Sequence, residues 1–211
     1  VVNGILDMSK IETDNFEITP EPFNPGQVIA SCCDILALRA REAGVALERL
    51  VPSDLPEIVA DKRALNQIMF NLLSNAIRFT DRGGKVLVSA RAEAGNIAFV
   101  VEDNGVGISD EDLARVGEPY FQAGASYDRR HGGTGLGLSI VKGLVRLHGG
   151  EFSIRSRVGE GTRITIGLPL DCERSRPVKK KRPHGVVSPI IIPMNQSAGT
   201  VQPASPVKKS A

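Results

Sequence analysis

The stretch Asn71-Leu72-Leu73-Ser74-Asn75-Ala76-Ile77-Arg78-Phe79-Thr80 combines an apolar helical face with three polar residues on another face. Asn71 and Asn75 are four residues apart and Arg78 follows three residues later, so one helix places all three together. Asparagine is a poor helix former, and an amide buried without partners costs free energy. Amide oxygens are hard ligands that suit Mg²⁺, and a guanidinium suits phosphate. The stretch therefore indicates a metal and phosphate site, with two structurally satisfied asparagines as the alternative.

The surrounding pattern predicts a mixed α/β domain without a regular βαβ repeat. Asp61 is a suitable N-cap for a helix from Lys62 to about Phe79. The other predicted helical segments are Gly26–Ala43, Asp110–Val116 and Leu136–His148. The predicted strands are Phe16–Ile18, Val45–Leu50, Ile58–Ala60, Val86–Ala92, Ile97–Glu102, Glu151–Ser156 and Thr162–Leu168.

Two glycine-rich segments bound an aperiodic stretch of about 30 residues, a length that is usually functional inside a domain. Asp103–Ile108 follows a predicted strand, and Gly132–Leu138 precedes a predicted helix. Glycines at a helix start let backbone N–H groups approach an anion, which favours a phosphate site at Gly133–Gly137. The spacing is not the GxGxxG of dinucleotide-binding proteins, and no strand comes directly before it. A plain glycine-rich turn is the structural alternative.

Taken together, these motifs resemble those of sensor histidine kinases. Residues 71–80 resemble the N box, and Asp103-x-Gly105-x-Gly107 resembles the first glycine box. Residues 133–138 are similar to the second glycine box, 118–122 to the aromatic box, and 159–162 to the GxGT turn. The order and spacing match over residues 55–170.

The resemblance implies the Bergerat ATP-binding fold, a two-layer α/β sandwich with a mixed sheet covered on one face by helices. It also implies ATP and Mg²⁺ as cofactors, with Asn75 coordinating the metal and Asn71 assisting it. Arg78 would contact phosphates and Asp103 would accept the adenine amino group, a contact that favours adenine over guanine. Asn71, Asn75 and Arg78 are the implied catalytic residues. The implied nucleotide-binding set is Asn71, Asn75, Arg78, Thr80, Asp103, Gly105, Gly107, Ile108, Gly133, Thr134, Gly135, Leu136, Gly137, Leu138 and Thr162.

Three domains follow from this comparison. Residues 1–15, with an apolar stripe that needs a partner helix, resemble the end of the second dimerisation helix. Residues 16–170 would form the catalytic domain, and 171–211 a disordered basic, proline-rich tail. The implied activity is transfer of the ATP γ-phosphate to a histidine of the dimerisation domain. A homodimer and a response-regulator receiver domain are the implied partners, and the catalytic portion is expected in the cytoplasm.

The chain also departs from the family pattern. Val116-Gly117 stands where the aromatic box usually opens with phenylalanine, and Arg78 stands where the family usually has lysine. The family's acceptor histidine lies early in the first dimerisation helix, whereas this chain has no histidine before His131. We therefore expect a piece of a longer protein whose acceptor lies outside it. His131, His148 and His184 are interpreted as incidental surface or helix-end residues.

Composition excludes several other classes. The chain has 211 residues and net charge +2, of which the last 41 residues, with eight basic and two acidic side chains, carry +6. The rest is mildly acidic, so nucleic-acid binding is not expected, and Lys179–Arg182 is read as solvated or as a contact for an acidic partner, membrane surface or nucleic acid. No apolar run approaches the roughly 20 residues of a membrane span. The adjacent Cys32 and Cys33 suggest reduced cytosolic thiols.

Other functions remain open at this stage. An ATPase of the same fold superfamily would use a glutamate as general base where this chain has Asn71. A serine kinase acting on a partner protein is a variant of that reading. A non-catalytic regulator would bind nucleotide without transferring phosphate, and the altered aromatic box is the feature that supports it.

Overall fold

The computed structural model describes residues 2–13, 15–122 and 134–175 of the chain. Helices and strands are interleaved along it, as the sequence predicts. In chain order they are α1 (Val2–Glu12), β1 (Glu21–Phe23), α2 (Pro25–Ala43), β2 (Ala46–Leu50), β3 (Ile58–Ala60), α3 (Lys62–Phe79), β4 (Lys85–Glu93), β5 (Asn96–Asp103), α4 (Asp110–Leu113), α5 (Gly137–Leu147), β6 (Glu151–Arg157), β7 (Gly161–Pro169) and α6 (Cys172–Ser175).

The main sheet has five strands in the order β2-β4-β5-β7-β6, and β1 pairs with β3 in a separate two-stranded sheet. β2 runs parallel to β4, and the other neighbours in the main sheet are antiparallel. In the β5–β7 register Asp103 lies opposite Thr162. The sheet is mixed, as predicted, and its register brings the end of β5 beside the start of β7.

Helices α2, α3 and α5 pack against one face of this sheet. The sheet side chains that face them are apolar and almost fully buried, because alternate residues of a strand point to the same side. The most deeply buried of these are Val86, Val88, Ile97, Phe99 and Ile166. This confirms the predicted two-layer α/β sandwich.

Helix α3 begins and ends where the sequence predicts. Asp61 caps it, because its Oδ1 accepts from the backbone N–H groups of Arg63 at 2.9 Å and Ala64 at 3.1 Å. The buried face of α3 consists of Ala64, Leu65, Ile68, Met69, Leu72, Leu73, Ala76 and Ile77. The amphipathic pattern therefore fixes which face of α3 stays accessible.

The N-terminus of α3 also forms a polar joint, which we define as Asp61, His148 and Thr19, and in which Asp61 and His148 are buried. His148 Nε2 accepts from the Asp61 backbone N–H at 3.1 Å, so Nδ1 carries the proton and donates to the Leu144 carbonyl at 2.7 Å. Asp61 Oδ2 accepts from the Thr19 backbone N–H at 2.9 Å. His148 is only 1% exposed. Its interpretation as an incidental residue is therefore wrong, because it connects α5 to α3.

One predicted strand, Phe16–Ile18, does not form. These residues are in irregular structure, where Ile18 is buried and Phe16 packs against the core. The neighbouring N–H of Thr19 bonds to the Asp61 carboxylate rather than to a strand partner. The apolar alternation at 16–18 thus reports burial in a linker rather than pairing in a sheet.

Helix α1 packs on α5, which confirms that its apolar stripe has a partner helix. Met8 and Ile11 are buried, and Ile11 lies over Gly143 of α5 so closely that a Cβ there would collide with it. Ile5 and Leu6 stay about half exposed. Among the helices of the described residues, none is long and apolar enough to cross a bilayer.

Candidate nucleotide-binding site

The polar face of α3 lies next to the N-terminus of α5. Asn71, Asn75 and Arg78 share this half-buried face, as predicted. Asn71 Nδ2 donates to the Gly137 carbonyl over 3.4 Å, and Arg78 Nη2 donates to Asn75 Oδ1 over 3.0 Å. A site for a charged ligand is thus bordered by two helices, one offering side chains and the other its N-terminus.

Arg78 is a partly desolvated cation in this face. Burial is the larger cause that lowers the pKa of its guanidinium, and the charge of Arg39 on α2 adds to the effect. The guanidinium carbon lies 4.5 Å from the centroid of the Phe79 ring, a cation–π contact that offsets part of the desolvation. Arginine stays charged at neutral pH even so. A cation held this way is suited to an anionic ligand such as phosphate.

Asp103, at the end of β5, is held by backbone N–H groups. Its Oδ1 accepts from Gly105 at 3.0 Å and from Thr162 at 3.2 Å. Burial raises the pKa of this carboxyl, the two backbone hydrogen bonds lower it, and the nearby Glu102 charge raises it, with burial the largest effect. Within the described residues both hydrogen bonds end on Oδ1. Oδ2 is therefore left as an acceptor for an amine.

The first glycine segment passes close to other backbone of the protein itself. A Cβ on Gly105 would collide with the Phe79 carbonyl oxygen. Gly107 has φ 68°, and a Cβ there would collide with the carbonyl oxygen of Arg157. The resemblance places both glycines in the nucleotide-binding set, which stays a prediction, and the structure also gives them a reason within the fold.

Ser156 connects predicted parts of the site, although the sequence did not indicate it. Its hydroxyl accepts from the Ile108 backbone N–H at 2.8 Å and donates to the Gly161 carbonyl at 2.8 Å. It also lies 2.8 Å from the Thr162 hydroxyl. The connection depends on β6 pairing with β7, where Ser156 lies opposite Thr162, so only the sheet register reveals it.

The second glycine segment leads directly into α5. Thr134 Oγ1 accepts from the Leu136 backbone N–H at 3.3 Å, and Gly135 has φ 70°. No side chain caps the N-terminus of α5, so its first N–H groups remain available to an anion. Leu136 is in the core and Leu138 packs against it, so these two can contribute backbone groups only. The predicted Gly133 lies outside the described residues.

Thr80 lies at the C-terminus of α3 and is buried. Its hydroxyl donates to the Ala76 carbonyl over 2.7 Å, and its extended backbone ends the helix. The predicted role of Thr80 in lining a nucleotide site stays a prediction. The geometry brings together Asn71, Asn75, Arg78 and Gly137 by contact, and Asp103, Gly105, Ile108 and Thr162 by a separate network.

Comparison with known proteins identifies the family. Residues 60–172 match the model for the "Histidine kinase-, DNA gyrase B-, and HSP90-like ATPase" family, which is more than half of the chain. The chain belongs to this ATPase family. The matched region contains every residue of the predicted nucleotide-binding set.

Relatives within the family are sensor kinases. The chain is 50% identical over 171 residues to an uncharacterized sensor-like histidine kinase of Rhizobium meliloti, covering 81% of this chain and 33% of that protein. It is 46% identical over 170 residues to the histidine protein kinase DivJ of Caulobacter vibrioides, covering 81% of this chain and 28% of that protein. The chain thus spans about a third of the length of these relatives. The resemblance to sensor histidine kinases is confirmed.

A solved structure gives the same result for the fold. The chain superimposes on full-length ShkA in complex with AMPPNP with a TM-score of 0.71 at 31% identity, covering 80% of this chain and 35% of that one. It also superimposes on the mycobacterial sensor histidine kinase MprB with a TM-score of 0.63 at 29% identity, covering 71% and 97%. The predicted Bergerat fold is therefore confirmed for this family member.

Proposed function

We propose that this ATPase-family domain binds ATP with Mg²⁺ and transfers the γ-phosphate to a histidine of a dimerisation domain in two-component signalling. The observation that carries the proposal is the hydrogen bond from Asn71 to the Gly137 carbonyl, which joins the polar face of α3 to the N-terminus of α5. Phosphoryl transfer needs mainly positioning and charge stabilisation, and these two elements offer both. The naming of relatives as histidine kinases, and of one as an AMPPNP complex, supports it.

Each residue has a defined part in this proposal. Asp103 accepts the adenine amino group through Oδ2, because Oδ1 is already occupied by two backbone donors. Arg78 and the first N–H groups of α5 bind phosphate oxygens. An acceptor-only carboxylate at the base favours an exocyclic amine over a carbonyl, which selects adenine.

The residues present fit a Mg²⁺ ion bound together with a triphosphate. Among the described residues no group of three or more His, Cys, Asp or Glu side chains could hold a metal by itself. Asn75, assisted by Asn71, would hold the ion through amide oxygen, a hard ligand, with phosphate oxygens supplying the rest. The ion would neutralise charge on the phosphates. Asn75 Oδ1 accepts from Arg78, so Arg78 must share or release that oxygen.

The phosphate acceptor is a histidine of another polypeptide segment. His148 is buried and bonded through both ring nitrogens, so it cannot receive a phosphoryl group. We propose that α1 is the end of a dimerisation helix, that the full protein is a homodimer, and that a response-regulator receiver domain takes the phosphate onward. The proposal includes a cytoplasmic location for this domain.

The experiment is reconstitution of the chain with a separately expressed dimerisation fragment that carries the acceptor histidine, using γ-labelled ATP and Mg²⁺. Acid-labile label should appear on the fragment. Asn75→Ala should abolish it, whereas Asn66→Ala, a matched change on the same helix away from the site, should not. Asn66 Nδ2 donates to the Lys62 carbonyl at 2.9 Å, and its Oδ1 accepts from the Cys32 thiol of α2 at 3.6 Å, so its side-chain contacts are with residues other than those of the proposed site.

Other outcomes would contradict the proposal. Acid-stable label would indicate a serine kinase, and steady ATP hydrolysis without the fragment would indicate an ATPase. Nucleotide binding without any transfer would indicate a non-catalytic regulator. Unchanged nucleotide affinity in Asn75→Ala and in Asp103→Asn would show that the site is wrongly assigned.

A further inference from the structure

The segment 114–122, which follows α4, is fastened to α5 by a lysine. Lys142 is a half-buried residue of α5, five residues after Gly137. Its Nζ donates to the Val116 carbonyl over 2.6 Å, a short hydrogen bond from a charged donor. This contact joins residues 26 positions apart in the chain, so it is a tertiary connection.

The Lys142 side chain is enclosed on two further sides. Gly117 has φ 91°, and a Cβ there would collide with the end of the lysine side chain. The ammonium also lies 5.4 Å from the centroid of the Phe152 ring on β6. The Val116 carbonyl, the position of Gly117 and the face of the Phe152 ring thus border the Lys142 ammonium. The family pattern has phenylalanine where Val116-Gly117 stands, and here glycine makes the room.

The far end of the same segment contacts the glycine turn before α5. The Tyr120 backbone N–H donates to the Gly135 carbonyl over 3.1 Å. Tyr120 has φ 65°, an unfavourable backbone conformation for a tyrosine, and Gly135 packs directly against its backbone. Strain of this kind persists only where the surroundings hold the residue in place.

These contacts continue into the proposed phosphate site. Gly135 begins the turn that leads to Gly137, whose carbonyl accepts from Asn71. Lys142 therefore holds one end of a connected series of contacts whose other end is the polar face of α3. The first N–H groups of α5 lie within that series.

We infer that Lys142 is a positioning residue for nucleotide binding, which fastens the segment 114–122 to α5 and so fixes the turn at 134–137. The inference rests on the proposed function, since it assigns Lys142 to the same site. In this role Lys142 does not contact the nucleotide. It preorganises the turn at 134–137, so that less of the turn has to be ordered when the nucleotide binds.

The test compares Lys142→Met with Arg146→Met on the 211-residue chain. Methionine keeps an unbranched side chain but removes the ammonium, and Arg146 is an exposed cation one turn further along α5. We expect Lys142→Met to weaken AMPPNP binding about five- to tenfold, as expected for loss of a hydrogen bond from a charged donor. Backbone amides of 114–120 should exchange about tenfold faster without nucleotide. Arg146→Met should change neither.

A second variant approaches the same contact from the other side. Gly117→Ala should displace the lysine and also strain a backbone at φ 91°, and it should weaken AMPPNP binding in the same direction. The double variant Lys142→Met/Gly117→Ala should be less affected than the sum of the two, because both remove one contact. Lys142→Arg should recover part of the affinity. If Lys142→Met fails to fold, Gly117→Ala and Lys142→Arg carry the test.

The inference is overturned if Lys142→Met, or failing that Gly117→Ala, leaves both AMPPNP affinity and amide exchange within twofold of the parent. An equal effect of Arg146→Met would also overturn it, because loss of charge alone would then suffice. Neither readout needs phosphate transfer. A parent chain that binds AMPPNP but never phosphorylates the histidine fragment would contradict the kinase function while this inference stands.

Discussion

The N-terminus of α3 and the position of Asn71, near the middle of the helix, use polar residues in opposite ways. At its N-terminus the Asp61 carboxylate accepts from three backbone N–H groups, and His148 is bonded through both nitrogens. Near the middle of the helix, within the described residues, Asn71 makes one long hydrogen bond of 3.4 Å and its amide oxygen accepts none. Polar groups whose hydrogen bonds are all made within the protein stabilise the fold, whereas polar groups with hydrogen-bonding atoms left over indicate a ligand site.

The largest expected effect is on the free energy of unfolding and comes from Asp61, at the N-terminus of α3. Asp61→Ala removes the helix cap and leaves the Thr19 backbone N–H without its acceptor. We expect the free energy of unfolding to fall by about 2–4 kcal/mol, the sum of a lost N-cap and a part-buried hydrogen bond. Urea denaturation measures it, with Asp34→Ala on the exposed face of α2 as control. Equal losses from both variants would remove the distinction between these two positions of α3.

The next effect is on ligand binding rather than folding. Asp103→Asn keeps an oxygen for the two backbone donors but turns an N–H₂ toward the adenine amino group. We expect about a hundredfold loss of ATP affinity, because a buried donor would then face another donor. Titration calorimetry with AMPPNP measures this. Retained affinity would mean that Asp103 does not read the base.

A smaller effect on nucleotide affinity is expected at Asn71. Asn71→Ala should lower affinity for the Mg²⁺–nucleotide complex about fivefold, since it removes one weak polar contact. The free energy of unfolding should change by less than about 0.5 kcal/mol, as for an ordinary accessible site. Comparing nucleotide titrations with urea curves separates the two quantities. A large loss of stability would show that Asn71 stabilises the fold rather than serving ligand binding.

The smallest expected effect is a pH dependence caused by Asp103. Burial holds its pKa above the ordinary 3.8, so the folded protein binds this proton more tightly than the unfolded chain does. The stability that the protonated carboxyl contributes is complete below 3.8 and is lost as pH rises through the folded pKa. The difference in unfolding free energy between the parent and Asp103→Asn should therefore decline over that window. A difference that grows with pH would contradict the raised pKa.

Much of this molecule was predictable because local rules determine it. The bounds of α3 and its Asp61 cap follow from helical periodicity and one capping residue, and both are confirmed. The Asn71, Asn75 and Arg78 face follows from helical spacing alone. Five ordered motifs then sufficed to indicate the fold and family.

The rest depended on contacts between distant segments. Ser156 joins Ile108 and Thr162 only through the pairing of β6 with β7, and His148 meets Asp61 across 87 residues of sequence. Helical spacing does not single out Lys142, because its acceptor, the Val116 carbonyl, lies 26 residues away in the chain. The strand predicted at 16–18 is wrong because alternation of apolar residues cannot distinguish a sheet strand from a buried linker.

The packing of Ile11 on Gly143 places the contact between α1 and α5 close to the proposed phosphate site. Gly143 and Gly137 are six residues apart on one rigid helix, a distance of about 9 Å at 1.5 Å per residue. The contact with α1 and the proposed phosphate-binding end of α5 therefore lie on one continuous helix, with no loop between them. Gly143 leaves the space in which Ile11 packs, and a larger residue there would displace α1 from α5.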